Sequence, residues 1–125
     1  MAITFTVDSF QSTDQSSFIV EGALAFTGNY VTGGDTLNFQ NAVGAPGLGA
    51  DAIKSSLLPH FADIIERPVA GTSGTGYTFL YCAGTNQTNC AVQIFNGTTQ
   101  LAAGAYPAGI TGAVIRARFE FLAFL

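Results

Sequence analysis

The sequence predicts an all-β chain, an antiparallel β-sandwich, jelly roll or barrel of about eight strands with one short helix. Three observations predict it. Apolar residues alternate with Thr, Ser, Asn and Gly in short segments, at the strand period of two. Turn signals separate those segments, above all Gly33-Gly34 and Asn96-Gly97. Only one segment, Ala50 to Leu58, reads as a helix, and Pro59 stops it. At 125 residues, with no linker or repeat, residues 1–125 form a single β domain.

The elements follow in chain order. Ile3, Phe5 and Val7 alternate with Thr4, Thr6 and Asp8, a half-buried first strand. Gln11 to Ser17 is polar and reads as a loop. A long strand follows, with Phe18, Val20, Leu24, Phe26 and Tyr30 on one face. Gly22 and Gly28 interrupt that face, which marks bends or bulges. Centring a hairpin turn on Gly33-Gly34 sets Tyr30 opposite Leu37 and Gly28 opposite Phe39, an aromatic ring over a bare glycine. Gln40 to Ala50 is a small-residue loop.

His60 to Val69 reads as a strand that Pro68 confines to a sheet edge. Gly71 to Gly76 is a connector. Tyr77, Phe79 and Tyr81 alternate with Thr78, Leu80 and Cys82, and Cys90, Val92 and Ile94 return after a polar tip. Centring that tip on Asn86 sets Leu80 opposite Val92 and Cys82 opposite Cys90. The two cysteines are therefore a candidate disulfide, with two free thiols as the alternative. Asn96-Gly97 turns the chain into Thr98 to Ala102. Leu101 to Gly112 is an Ala/Gly/Pro loop. In the closing strand, Ala113 to Leu125, Ile115, Ala117, Phe119 and Phe121 face one way and Arg116, Arg118 and Glu120 the other. Beyond Glu120 the second face turns apolar at Leu122 and Phe124.

Composition narrows the partners. The chain is 48% hydrophobic and only 10% charged, and its mean hydropathy is +0.37. Folded alone, it leaves much apolar surface wet, so the surface is expected to be covered by copies of itself or by a larger assembly. The net charge is −4, and Lys54, Arg67, Arg116 and Arg118 are its cations. Nucleic acid needs a basic footprint, and anionic membranes attract basic segments, so neither partner is expected. No run approaches about 18 uninterrupted apolar residues, so no transmembrane helix is expected. Met1 to Thr6 has neither basic nor apolar leader character, which predicts no signal peptide and synthesis in a cytosol.

Catalytic and metal chemistry find little support. His60 has Ser55 and Ser56 nearby, but a proline break intervenes and there is no nucleophile-elbow motif. The carboxylates are scattered and read as solvated charges. The glycine runs at 44–49 and 71–76 lack the Gly-Lys-Ser/Thr ending of a phosphate loop. One histidine and two cysteines do not complete a zinc site. The expectation is no enzyme, no cofactor and no metal. Tyr30, Tyr77, Tyr81 and Tyr106 are the candidates for stacking on a sugar.

Several segments carry a resemblance. They are Thr4-Phe5-Thr6-Val7-Asp8-Ser9-Phe10, the run Tyr30 to Phe39, Gly76-Tyr77, Leu101 to Pro107, and Val114 to Phe121. Together they resemble the capsid decoration, or cement, proteins of tailed bacteriophages. The chain departs from that pattern at Gln40 to Ala50 and at the Cys82/Cys90 tip. The resemblance implies a β-sandwich or tulip-like protomer on the outer capsid shell. It would be assembled in the host cytoplasm and bind as a dimer or trimer that bridges neighbouring major capsid subunits. Phe10, Phe18, Leu122, Phe124 and Leu125 are the expected interface residues, with intramolecular packing as the plainer alternative. The second functional reading is a head-fibre or tail-associated module that binds host polysaccharide.

Overall fold

A computed structural model describes residues 3–13, 17–43, 58–68, 70–71 and 74–122. They fold as an antiparallel β-sandwich. The strands are β1 (Ile3–Thr13), β2 (Ser17–Phe26), β3 (Asn29–Tyr30), β4 (Asp35–Leu37), β5 (Pro59–Glu66), β6 (Tyr77–Cys82), β7 (Cys90–Asn96), β8 (Thr99–Gln100), β9 (Gly104–Ala105) and β10 (Ile115–Leu122). One sheet has the order β1-β2-β10-β5. The other has the order β4-β7-β6, and β8 adds to β7. A small β3-β9 ladder makes a third pairing. The ten strands exceed the expected eight because β3 and β9 are two-residue pairings with little hydrophobic pattern of their own.

The core lies between the sheets. Ile3, Phe5 and Val7 enter it from β1, Val20, Leu24 and Phe26 from β2, and Ile115, Ala117, Phe119 and Phe121 from β10. Leu37, Cys90, Val92 and Ile94 face them from the second sheet. The period-two alternation thus sorts each strand into a dry and a wet face. Phe39 fills the middle. Its ring lies 4.8 Å from Phe119, 5.4 Å from Phe121 and 6.2 Å from Phe5, edge-on in each case.

Gly22 marks a bulge, as its place in the sequence predicts. The β1-β2 register runs Val7↔Gly22 and then Ser9↔Glu21, so Asp8 is the extra residue. The strands continue past the bulge. Thr13 pairs with Ser17, so the segment expected as a loop from Gln11 is mostly hairpin ladder. Backbone pairing outweighs the polar side chains there, because one edge of each strand has its hydrogen-bond partners regardless of side chain.

The Gly33-Gly34 turn forms, but its hairpin does not. Gly33 and Gly34 have φ of 96° and 115°, and the Gly34 amide donates to the Val31 carbonyl at 3.0 Å. The flanking strands then part: Tyr30 pairs with Gly104, and Leu37 with Cys90. The turn carries the chain to the second sheet, where Leu37 is buried beside β7. Phe39 does not cover Gly28; it sits in a 3-10 turn, Phe39–Asn41, capped by the Asn38 side chain.

The expected helix falls mainly on residues outside the described set. The described helix is α1 (Ala108–Thr111), inside the segment expected as a loop. Pro107 precedes it and Gly112 ends it.

The β6-β7 register differs from the sequence expectation by one residue. Cys82 pairs with Ala91, Tyr81 with Val92 and Leu80 with Gln93. A one-residue slip reverses the faces. Cys90 is therefore buried, Cys82 lies on the opposite face, and both are free thiols. The tip accounts for the slip. Asn89 Oδ1 accepts from the Thr85 and Asn86 amides at 2.9 and 3.1 Å, and Asn86 Oδ1 accepts from the Thr88 amide at 2.8 Å. These asparagine-closed turns centre the loop between Asn86 and Gln87 rather than on Asn86.

Candidate functional site

Two strands end the sheets on the same side of the sandwich. β5 is the last strand of the first sheet and β6 the last of the second. Between them runs a groove of about 560 Å³, with Ile64, Pro68, Tyr77 and Phe79 among its walls. Glu66 also lines it. Its carboxylate accepts from the Thr75 amide at 3.0 Å and from the Thr75 hydroxyl at 2.6 Å.

Large apolar side chains flank this edge and remain in water. Phe61 is 60% exposed, Ile65 54% and Leu80 53%. Phe61 and Ile65 share the outer face of β5 with Asp63. Sequence reasoning did not select these residues as interface. The signal was present in β5 itself, which is apolar at both parities, Ile64 on one and Phe61 and Ile65 on the other, beside an edge-forming Pro68.

The outer face of the first sheet beside β5 is ionic. Register places Glu21, Arg118 and Asp63 in one row, and Ala23, Arg116 and Ile65 in the next. Arg118 Nε is 3.4 Å from Glu21, and Arg116 grips Asp8 with both terminal nitrogens. The Arg116 guanidinium holds the Asp8 carboxyl below the usual aspartate range, and Asp8 in turn raises Arg116. A shallow depression of about 200 Å³ lies among these side chains.

The expected interface residues distribute as follows. The backbone of Phe10 pairs with Val20, that of Phe18 with Ser12 and Phe121, and that of Leu122 with Ser17. Register thus gathers Phe18 and Leu122 at one end of the first sheet, with Phe10 two rungs away. Phe124 and Leu125 lie outside the described residues.

The remaining candidates are dispersed. Among the described residues, no three His, Cys, Asp or Glu side chains gather as metal ligands. His60 is exposed on β5, while Ser55 and Ser56 lie outside the described set. Asp35 is buried, and its carboxylate accepts from the Tyr106 hydroxyl. Burial, and then Asp35, push the Tyr106 phenol far above its usual value. Tyr30 is also internal; its hydroxyl donates to Gln100 and accepts from the Ile94 amide. Neither ring is available to stack on a sugar. Tyr81 is half-buried, and burial, followed by its contact with Cys90 Sγ at 3.3 Å, raises its phenol too. No protein-family model, curated protein or solved structure matches the chain.

Proposed function

We propose that this chain is a non-enzymatic structural protein of a virion, one that decorates and cements the outer face of a phage capsid by bridging neighbouring major capsid subunits. The observation that carries the reading is the open edge of the sandwich. Phe61, Ile65 and Leu80 stand more than half exposed on its two terminal strands. Exposed strand edges recruit other chains, and natural monomers blunt them with charge or cover them. Here the edge is apolar and lies beside ionic side chains that set orientation, the usual division between an interface core and its rim.

The mechanism is multivalent clamping. Each protomer adds a modest contact. Self-association as a dimer or trimer then places the remaining contacts at high effective concentration over the shell. Assembly in the host cytoplasm on the capsid exterior follows from the same reading.

The test is addition of the purified chain to undecorated tailed-phage heads, followed by sedimentation and by heating or dilution stress. Co-sedimentation at fixed stoichiometry, with heads that withstand more stress, supports the proposal. Heads that neither retain the chain nor gain resistance overturn it.

A further inference from the structure

We propose that the free edge of β5 pairs antiparallel with β5 of a second copy about a two-fold axis at Ile65, joining two four-stranded sheets into one. The inference rests on reading this edge as an assembly surface and names its occupant.

The backbone is ready for that pairing. The Arg67 amide donates to the Val114 carbonyl at 2.8 Å, toward β10. Strand groups alternate in direction, so Ala62, Ile64 and Glu66 aim their amides and carbonyls the other way. Among the described residues, no strand pairs with that side of β5. Pro68 lacks an amide hydrogen and ends the run.

Charge selects the register. Asp63 and Arg67 are both exposed and belong to the outer face of β5, four residues apart. Neither forms an ion pair among the described residues. A two-fold axis at Ile65 sets Asp63 directly opposite the second copy's Arg67, an opposite-charge pair, and sets Ile65 against Ile65. The charge contact occurs twice. An axis at Asp63 would instead oppose two like carboxylates, which is unfavourable. On the inner face, Glu66, already held by Thr75, stands opposite Ile64. The surface is therefore complementary to itself, as an isologous interface requires.

The test is charge reversal read by sedimentation equilibrium on the full chain. The wild type is expected to be a dimer. Asp63→Arg and Arg67→Asp each oppose like charges and weaken self-association tenfold or more. Mixed one to one, the two variants restore both opposite-charge contacts and form a heterodimer. The milder Asp63→Asn and Arg67→Ala also weaken the dimer, which keeps the test open if a reversal unfolds the chain. A monomeric wild type, reversals without effect, or a mixture that stays monomeric overturns the inference. Head binding by the wild type is scored separately. Heads decorated by a monomer sink the paired edge alone, and a β5 dimer that ignores heads sinks the decoration reading alone.

Discussion

Arg116 on β10 reaches over Ala23 of the intervening β2 to hold Asp8 on β1, with N–O distances of 2.7 and 2.9 Å. The β1 bulge makes this possible, because Asp8 is the residue the ladder skips. The contact couples three strands, and it titrates. The folded Asp8 carboxyl lies below its ordinary value of 3.8. The stabilisation is therefore fully present above that value and is lost as pH falls through the folded pKa. The measurement is a set of thermal melts of wild type and Asp8→Asn from neutral pH into acid. The expected gap between them is small, since the pair is exposed, and it closes as pH drops below the ordinary aspartate value. A gap that widens in acid contradicts this.

Gly22 supplies a contrast with Gly109. A Cβ on Gly22 would stand 2.0 Å from the Thr6 carbonyl oxygen and 2.9 Å from the Val7 Cα, both backbone atoms that cannot rotate away. A Cβ on Gly109 in α1 meets only the Thr75 methyl at 3.5 Å, ordinary contact. Gly22→Ala is expected to cost about 3 kcal/mol through overpacking at the bulge. Gly109→Ala is expected to gain about 0.4–1 kcal/mol by restricting the unfolded chain. Chemical denaturation of both variants checks the signs; equal effects would remove the structural distinction.

Much of this fold was legible because burial follows side-chain parity. Ile3, Phe5 and Val7, and Ile115 to Phe121, alternate in sequence and alternate in the structure. The bulge at Gly22 was legible for the same reason, a gap in an apolar face. What failed was partner choice. The Gly33-Gly34 turn has the local chemistry of a hairpin, yet Gln100 Oε1 accepts from the Gly33 amide at 2.7 Å and Gln93 donates to the Gly33 carbonyl at 3.0 Å. Those long-range contacts hold the turn against β7 and β8, and no local pattern encodes them. The exposed residues of β5 were recognisable as apolar, but whether an apolar strand face is wet depends on what covers it. The sequence selected the end of the first sheet around Phe18 and Leu122 instead, which the backbone register brings together.

The register of β6 and β7 makes a sharp statement about thiols. Cys82 and Cys90 occupy opposite faces, so no disulfide forms between them without a slip of the whole strand. Burial raises the Cys82 thiol, which lowers its thiolate fraction and slows its alkylation. Cys90 is buried against Tyr81 and is closed to reagents. Under native conditions one thiol is expected to react slowly and the other only after unfolding, with masses matching two free cysteines in air-exposed protein. A native mass two hydrogens short on the monomer, mapping to a Cys82–Cys90 peptide, would show that the strands pair differently.

Tyr106 and Asp35 form a buried polar contact inside the sandwich. The Tyr106 hydroxyl donates to Asp35 Oδ2, and the Thr36 amide donates to Oδ1 at 2.9 Å. Asp35 begins β4 and Tyr106 follows β9, so the bond joins the second sheet to the segment that leads into α1. Tyr106→Phe keeps the ring packing against Phe26 and Tyr30 but leaves a buried carboxylate oxygen without its donor. That loss is expected to cost about 1–3 kcal/mol, more than deleting a satisfied surface hydroxyl would. Asp35→Asn keeps an oxygen for the hydroxyl yet surrenders the charge, so its cost should be smaller. A double-mutant cycle of Tyr106→Phe with Asp35→Ala, which removes the acceptor, isolates the coupling by denaturant unfolding. Strict additivity of those two substitutions would mean that the two groups do not depend on one another and that the β4 end is held by packing alone.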